Sequence, residues 1–308
     1  MGSGTHSSRR DGFTLIELLV VLAILSLLVG LTMAGISRVR TVQQSNSTES
    51  TLQKLQKAVE QQMNATMDQA KDAKNPYLSL VKGFADGDAD RARALLAYAG
   101  SKRAFPQTFA EALNLTNSPT IPGVGPLPTN KSFSSLTGMS PGVLAPDQEA
   151  AALLYIIVHD MAARGTTIDP DGALASAEVI IPGTTLKAYK DAYGTPIAFI
   201  RWYGPYPGPF FAANNATQAA PYVNAKSPPF DPYDPLGKLL GWGNVPSKTA
   251  ALTVLNANYS SPGGVYTPVL FDGFNKLVTV VSAGPDKTFG TPDDVFGYPL
   301  ARFGARGD

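Results

Sequence analysis

Gly12-Phe13-Thr14-Leu15-Ile16-Glu17-Leu18-Leu19-Val20-Val21-Leu22-Ala23-Ile24-Leu25 opens an almost unbroken apolar run that lasts to Ile36. At a rise of about 1.5 Å per residue, a helix over 13–36 covers roughly 36 Å, enough to cross a hydrocarbon core of about 30 Å. One carboxylate, Glu17, interrupts the run. A charge at that depth costs on the order of 3 kcal/mol, so an acid there points to a function and to a partner. Arg9 and Arg10 stand just before the run, and such a basic tail stays on the cytoplasmic side. A secretory signal has an apolar core of only about 7–15 residues followed by a small-residue cleavage site, and this run is longer and leads into a polar helix.

This opening resembles the cleavage and methylation segment of type IV pilins and type II secretion pseudopilins. The resemblance implies that prepilin peptidase cuts between Gly12 and Phe13 and methylates the new amine of Phe13. It also implies an assembly role for Glu17, whose carboxylate neutralises the amine of a neighbouring subunit. Breaking one half of such a pair strands a charge in a low-dielectric medium, so pairing selects docking and register. The expected organisation is a cytoplasmic leader at 1–12, a transmembrane half-helix at 13–36, an amphipathic half-helix at 37–75 and an exported domain at 76–308.

Composition narrows the remaining classes. The chain has 308 residues with net charge +1 and pI near 7.8, so nothing in its charge favours nucleic acid. Charged residues make up only 16%, while Gly and Pro number 29 and 25, which describes a loop-rich exterior domain. Cysteine is absent, which removes disulfides, zinc-thiolate sites and cysteine nucleophiles. A bound metal is one remaining way to staple a loop.

Leu52, Leu55, Val59 and Met63 recur at helical spacing between polar residues, so 37–75 is predicted to be an amphipathic helix ended by Asn75-Pro76. Short helical pieces, notably 91–99, follow, then a long Pro/Gly/Ser/Thr-rich loop at 114–147. A helix is predicted at 150–163, with Leu153, Leu154, Ile157 and Met161 on one side. Residues 197–203, 266–271 and 277–281 carry strand signals, and Asp272-Gly273 between the last two is a hairpin signal. Residues 204–247 are Pro-, Gly-, Asn- and Tyr-rich, as in an ordered-loop insertion.

After the last strand comes Ser282-Ala283-Gly284-Pro285-Asp286-Lys287-Thr288-Phe289-Gly290-Thr291-Pro292-Asp293-Asp294-Val295. By residue type alone, this is either a solvated acidic turn or a set of carboxylates converging on a hard cation such as calcium, which accepts irregular oxygen shells. Its order resembles the calcium loop of the major type II secretion pseudopilin, Ser-x-Gly-x-Asp-Gly followed by Gly-Thr-x-Asp-Asp. That resemblance implies a calcium loop over 281–296. Its ligands would be Asp286, Asp293 and Asp294, helped by Ser282 or nearby carbonyls. Asp191-Ala192-Tyr193-Gly194-Thr195-Pro196 likewise resembles the family's Asp-Pro-Trp-Gly-x-Pro turn. Lys287 stands where the family usually has Gly, which is costly if that position needs φ > 0.

Other motifs carry less. Gly138-Met139-Ser140-Pro141-Gly142 has the nucleophile-elbow spacing but lies in a loop-type sequence. Asp86, Asp88 and Asp90 open like a calcium-binding hand but continue with Arg91 and Ala97 where Gly and Glu belong, so a helix start is expected. His159 is expected to be structural.

The expected fold class is α+β and pilin-like. A long N-terminal transmembrane/amphipathic helix packs on a small antiparallel β-sheet with large loop insertions. The expected function is that of a non-enzymatic pseudopilus subunit of a type II secretion system in the bacterial inner membrane. Its C-terminal domain would be periplasmic. Prepilin peptidase, other pseudopilins and an inner-membrane assembly platform are the implied partners. A type IV pilus subunit or filament-tip adhesin is the alternative, kept alive by the Tyr- and Pro-rich insertion.

Overall fold

The computed structural model describes residues 15–116, 120–121, 125–126, 133, 136, 144–163, 172, 174–203, 233–256, 277–291 and 293–297. Helix α1, Leu15–Lys71, belongs to two compact units, Met1–Asn46 and Ser47–Asp308.

In the first unit the large apolar side chains described on α1 are exposed, from 49% at Val21 to 82% at Leu15. Its hydroxyls turn back onto the helix: Ser26 Oγ donates to the Leu22 carbonyl at 2.7 Å and Thr32 Oγ1 to that of Leu28 at 2.8 Å. These two hydroxyls are thereby satisfied within the helix, without water. Among the described residues no helix is long and apolar enough to cross a membrane; side chains at 31, 33–35 and 37 and all of 1–14 lie outside them.

The second unit holds the core. Leu52, Leu55, Val59 and Met63 are all buried, as their spacing predicts, together with Ala58, Met67 and Ala70. The helix stops at Lys71 rather than running to 75. The reason is local: Asp72 Oδ1 accepts from Lys74 N and Asn75 Oδ1 from Tyr77 N, so two short side chains offer the backbone a turn instead of a helix.

Then follow α2 (Leu78–Phe84), α3 (Ala89–Ala104), α4 (Phe109–Thr116), the two-residue strands β1 (Thr120–Ile121) and β2 (Gly125–Pro126), and α5 (Pro146–Ala163). Asp88 caps α3, its Oδ1 accepting from the N–H groups of Asp90 and Arg91, so the Asp86–Asp90 spacing marks a helix start. Leu153, Leu154 and Ile157 of α5 are buried, whereas the side chain of Met161 lies outside the described residues. His159 sits in an aromatic cluster, stacked 4.0 Å from Tyr155, with its Nδ1 3.3 Å from Tyr189 Oη.

The antiparallel hairpin β3 (Glu178–Ile180) and β4 (Lys187–Tyr189) leads through the 191–196 turn into β5 (Ala198–Tyr203). After α6 (Pro246–Asn256) come β6 (Leu277–Ser282) and β7 (Val295–Phe296). The main sheet has order β5-β6-β7 and is antiparallel throughout, with Ala198 opposite Val281 and Ser282 opposite Val295. The expected strand 266–271 and its Asp272-Gly273 turn lie outside the described residues, as does 204–232 of the insertion. The described end of that insertion is fastened to the helices. Tyr233 Oη meets Ser101 Oγ at 2.9 Å, and Trp242 Nε1 donates to Asp86 Oδ2 at 2.7 Å.

Glutamine amides close both edges of the main sheet. On β5, Gln107 Nε2 donates to the Phe199 carbonyl at 3.0 Å, and its Oε1 accepts from Arg201 N at 3.1 Å. On β6, where β7 does not reach, Gln56 of α1 donates to the Val278 carbonyl and accepts from Val280 N, both at 3.0 Å. Each amide supplies one donor and one acceptor, as a neighbouring strand residue would, and so satisfies backbone groups that no described strand pairs with.

Candidate functional site

The acidic loop follows β6 directly, and three left-handed residues shape it, Gly284, Lys287 and Gly290, the last at φ +89. Gly284 has φ +66 and Lys287 has φ +61. Lys287 is thus a non-glycine residue in the conformation the sequence flagged as costly there. A side-chain-bearing residue in that region costs roughly 1–2 kcal/mol.

The carboxylates hold the loop together. Asp286 Oδ1 accepts from Thr288 N at 2.8 Å, Asp293 Oδ2 from Asp286 N at 3.1 Å, and Asp294 Oδ2 from Gly290 N at 2.8 Å. The hydroxyl of Thr291 donates to Asp293 Oδ1. Asp294 Oδ1, by contrast, is buried without a hydrogen-bond partner in the described structure. Burial, reinforced by the charges of Asp293 and Asp286, pushes the Asp294 carboxyl up to about 7, against the pull of backbone N–H groups at Gly290 and Thr291. Burial also raises Asp293, but the Thr291 hydroxyl and the Asp286 and Asp293 N–H groups outweigh it and hold that carboxyl below its ordinary value.

Ser282 lies at the root of the loop, fully buried. Its Oγ donates to Asp191 Oδ2 at 2.6 Å and accepts from Gly284 N at 3.2 Å. The fold therefore joins the loop to the Asp191–Pro196 turn, two stretches almost a hundred residues apart. Among the described residues no group of three His, Asp or Glu side chains is placed to hold a metal. A cation here would use the orphaned Asp294 Oδ1 with backbone carbonyls and hydroxyls, a donor set of the hard-oxygen type that suits calcium.

At the other end of the chain, Gly12 and Phe13 lie outside the described residues, and Glu17 occupies the first turn of α1 with its side chain exposed. The family model of the prokaryotic N-terminal methylation motif matches residues 7–33. The chain carries a prepilin-type methylation segment. That segment includes Gly12, Phe13 and Glu17 and supports a type IV pilin-like subunit processed by prepilin peptidase. No curated protein and no solved structure matches the chain significantly.

Sequence reasoning passed over Thr48 and Gln56 and assigned no role to Asp191. Gln56 carried a signal: it falls beside the apolar stripe at 52, 55 and 59, where a polar residue needs a buried partner. Thr48 gave none, and Asp191 was marked only as the start of a turn, since the contacts of both join distant segments.

Proposed function

We propose that the protein is a structural subunit of a type II secretion pseudopilus, anchored in the inner membrane by residues 13–36 before assembly. The observation that carries this reading is the methylation segment at 7–33, leading into a helix whose second half is built into an α+β domain. Prepilin peptidase removes residues 1–12, and an inner-membrane platform adds the subunit to other pseudopilins. Glu17, exposed on the first turn of α1, meets the Phe13 amine of a neighbour. The acidic loop favours secretion over a surface pilus or tip adhesin because it follows β6 in the order of the major pseudopilin. In this reading calcium binds at the orphaned Asp294 Oδ1 with Ser282 or nearby carbonyls, and draws in Asp286 and Asp293, which the described structure does not group around one point. The ion supplies positive charge that relieves the carboxylate repulsion.

Gly12→Ala is expected to leave full-length precursor in the inner membrane, read as a missing mobility shift on expression with the peptidase. Normal processing of that variant would sink the assignment. Deleting the gene should abolish secretion and leave adhesion intact; the reverse selects the pilus reading.

The calcium assignment has its own test. A ligand of the native state stabilises it by about 2.7 kcal/mol at a hundredfold excess over Kd. Calcium should therefore raise the Tm of the full chain in detergent, and Asp293→Ala/Asp294→Ala should abolish the rise. An unchanged wild-type Tm at millimolar calcium refutes the site.

A further inference from the structure

We propose that Asp191 is the positioning residue of the acidic loop, and that through it the state of the loop is felt at Thr48 on α1. The inference rests on the calcium reading above for the signal, but its wiring is independent of any metal.

Asp191 is 3% exposed and its two oxygens have separate duties. Oδ1 accepts from Tyr193 N and Thr195 N, both at 2.9 Å, and closes the turn that Gly194 completes at φ +88. Oδ2 takes the Ser282 hydroxyl at 2.6 Å, within the short range of charge-assisted O–H···O⁻ bonds. Ser282 Oγ in turn accepts from Gly284 N, the first left-handed residue of the loop. On the far side of the turn, Ala192 N donates to Thr48 Oγ1 at 3.2 Å. Thr48 stands one residue after the start of the second unit.

The path Gly284–Ser282–Asp191–Ala192–Thr48 is short, and both hydroxyl residues in it are fully buried. Neither can exchange its partner for water, so displacing either one leaves a buried polar group unpaired. The Asp191 carboxylate makes this stricter, because losing its donors strands a charge. Closure of the loop on a cation moves Gly284 and hence the Ser282 hydroxyl. Asp191 cannot hold its turn and follow Ser282 independently. The turn shifts as one piece, and Ala192 N carries the shift to Thr48.

The test is amide exchange on the full chain in detergent, followed in peptides covering 44–52 and 188–196, with calcium and with chelator. Calcium is expected to slow exchange in both peptides at least threefold. Asp191→Asn keeps the turn-closing oxygen but presents an N–H donor to Ser282. In that variant calcium should bind about tenfold more weakly and, even at saturation, leave exchange at 44–52 unchanged. If calcium raises the wild-type Tm but leaves both peptides unaltered, or if Asp191→Asn responds like wild type, the relay is wrong while the calcium site stands. If calcium leaves the wild-type Tm unmoved, the calcium reading has failed and the wiring is read in chelator alone. Asp191→Asn and Thr48→Val should then be non-additive by threefold or more in the unfolding constant, and additivity overturns the proposal.

Discussion

Arg201→Met is expected to destabilise the protein by about 3–5 kcal/mol, the cost of breaking a buried ion pair from one side. Arg201 lies on β5 and is 1% exposed. Its Nη1 donates to Glu111 Oε1 at 2.7 Å and to the carbonyls of Phe105 at 3.0 Å and Lys102 at 3.3 Å. Methionine fills much of the same volume but supplies none of these bonds. Glu111 then keeps Lys102, whose Nζ lies 3.9 Å from Oε1 and donates instead to the Leu255 carbonyl at 2.7 Å. If the stranded Glu111 charge is the main cost, Arg201→Met/Glu111→Gln should recover part of the loss. Urea unfolding of the single and double variants measures this, and a single variant within about 1 kcal/mol of wild type would remove the argument.

The same cluster gives a pH signature. Burial lowers the Lys102 pKa to about 8 from 10.5, with Glu111 opposing and Arg201 adding to the shift. Between those two values the unfolded chain binds more protons than the folded one, so stability rises with pH across that window. Below pH 8 the penalty is fully present. Lys102→Met should flatten the slope between pH 8 and 10 relative to wild type. An identical slope in both proteins would mean that Lys102 is charged in the fold at no penalty.

What the sequence made legible is what depends on near neighbours. The stripe at Leu52, Leu55, Val59 and Met63 announced a helix because burial on one face repeats every three to four residues. Strands at 197–203 and 277–281 were visible from β-branched and aromatic runs, and the methylation segment is itself a local string. The pairing of β5 with β6 was not legible, because those strands are joined across more than seventy residues and nothing local specifies that partner. Nor were Gln56 and Gln107 visible as sheet-edge caps, since an amide earns that role only from the edge it faces. Arg201 sat inside a correctly read strand, yet an alternating pattern cannot show that a charge lies buried among carbonyls. Within the acidic loop, the identity of the carboxylates was plain. The wiring of Ser282 to Asp191, and the left-handed turn at Lys287, needed the fold.

Gly284→Ala is expected to lower stability by about 3–4 kcal/mol, which for a domain of this size shifts Tm by roughly 10 °C. Two effects add. At φ +66 any side chain pays the left-handed penalty of roughly 1–2 kcal/mol. A Cβ built there also runs into the carbonyl oxygen of Asp293, which is backbone and cannot swing aside as a flexible side chain would. Relief requires moving the 293–294 segment or tilting Gly284 N away from Ser282 Oγ, and either move opens the root of the loop. Lys287 supplies the contrast. It shares the left-handed conformation and is exposed, and it already carries a Cβ there. Lys287→Gly removes the steric penalty and adds only the extra chain entropy of glycine, for a net gain of about 0.5–1 kcal/mol. Thermal unfolding of the two variants in chelator should therefore move in opposite directions. Equal shifts of one sign would mean that the loop is held by something other than its backbone geometry. A wild-type Tm for Gly284→Ala would mean that the approach of Asp293 to this turn is dispensable.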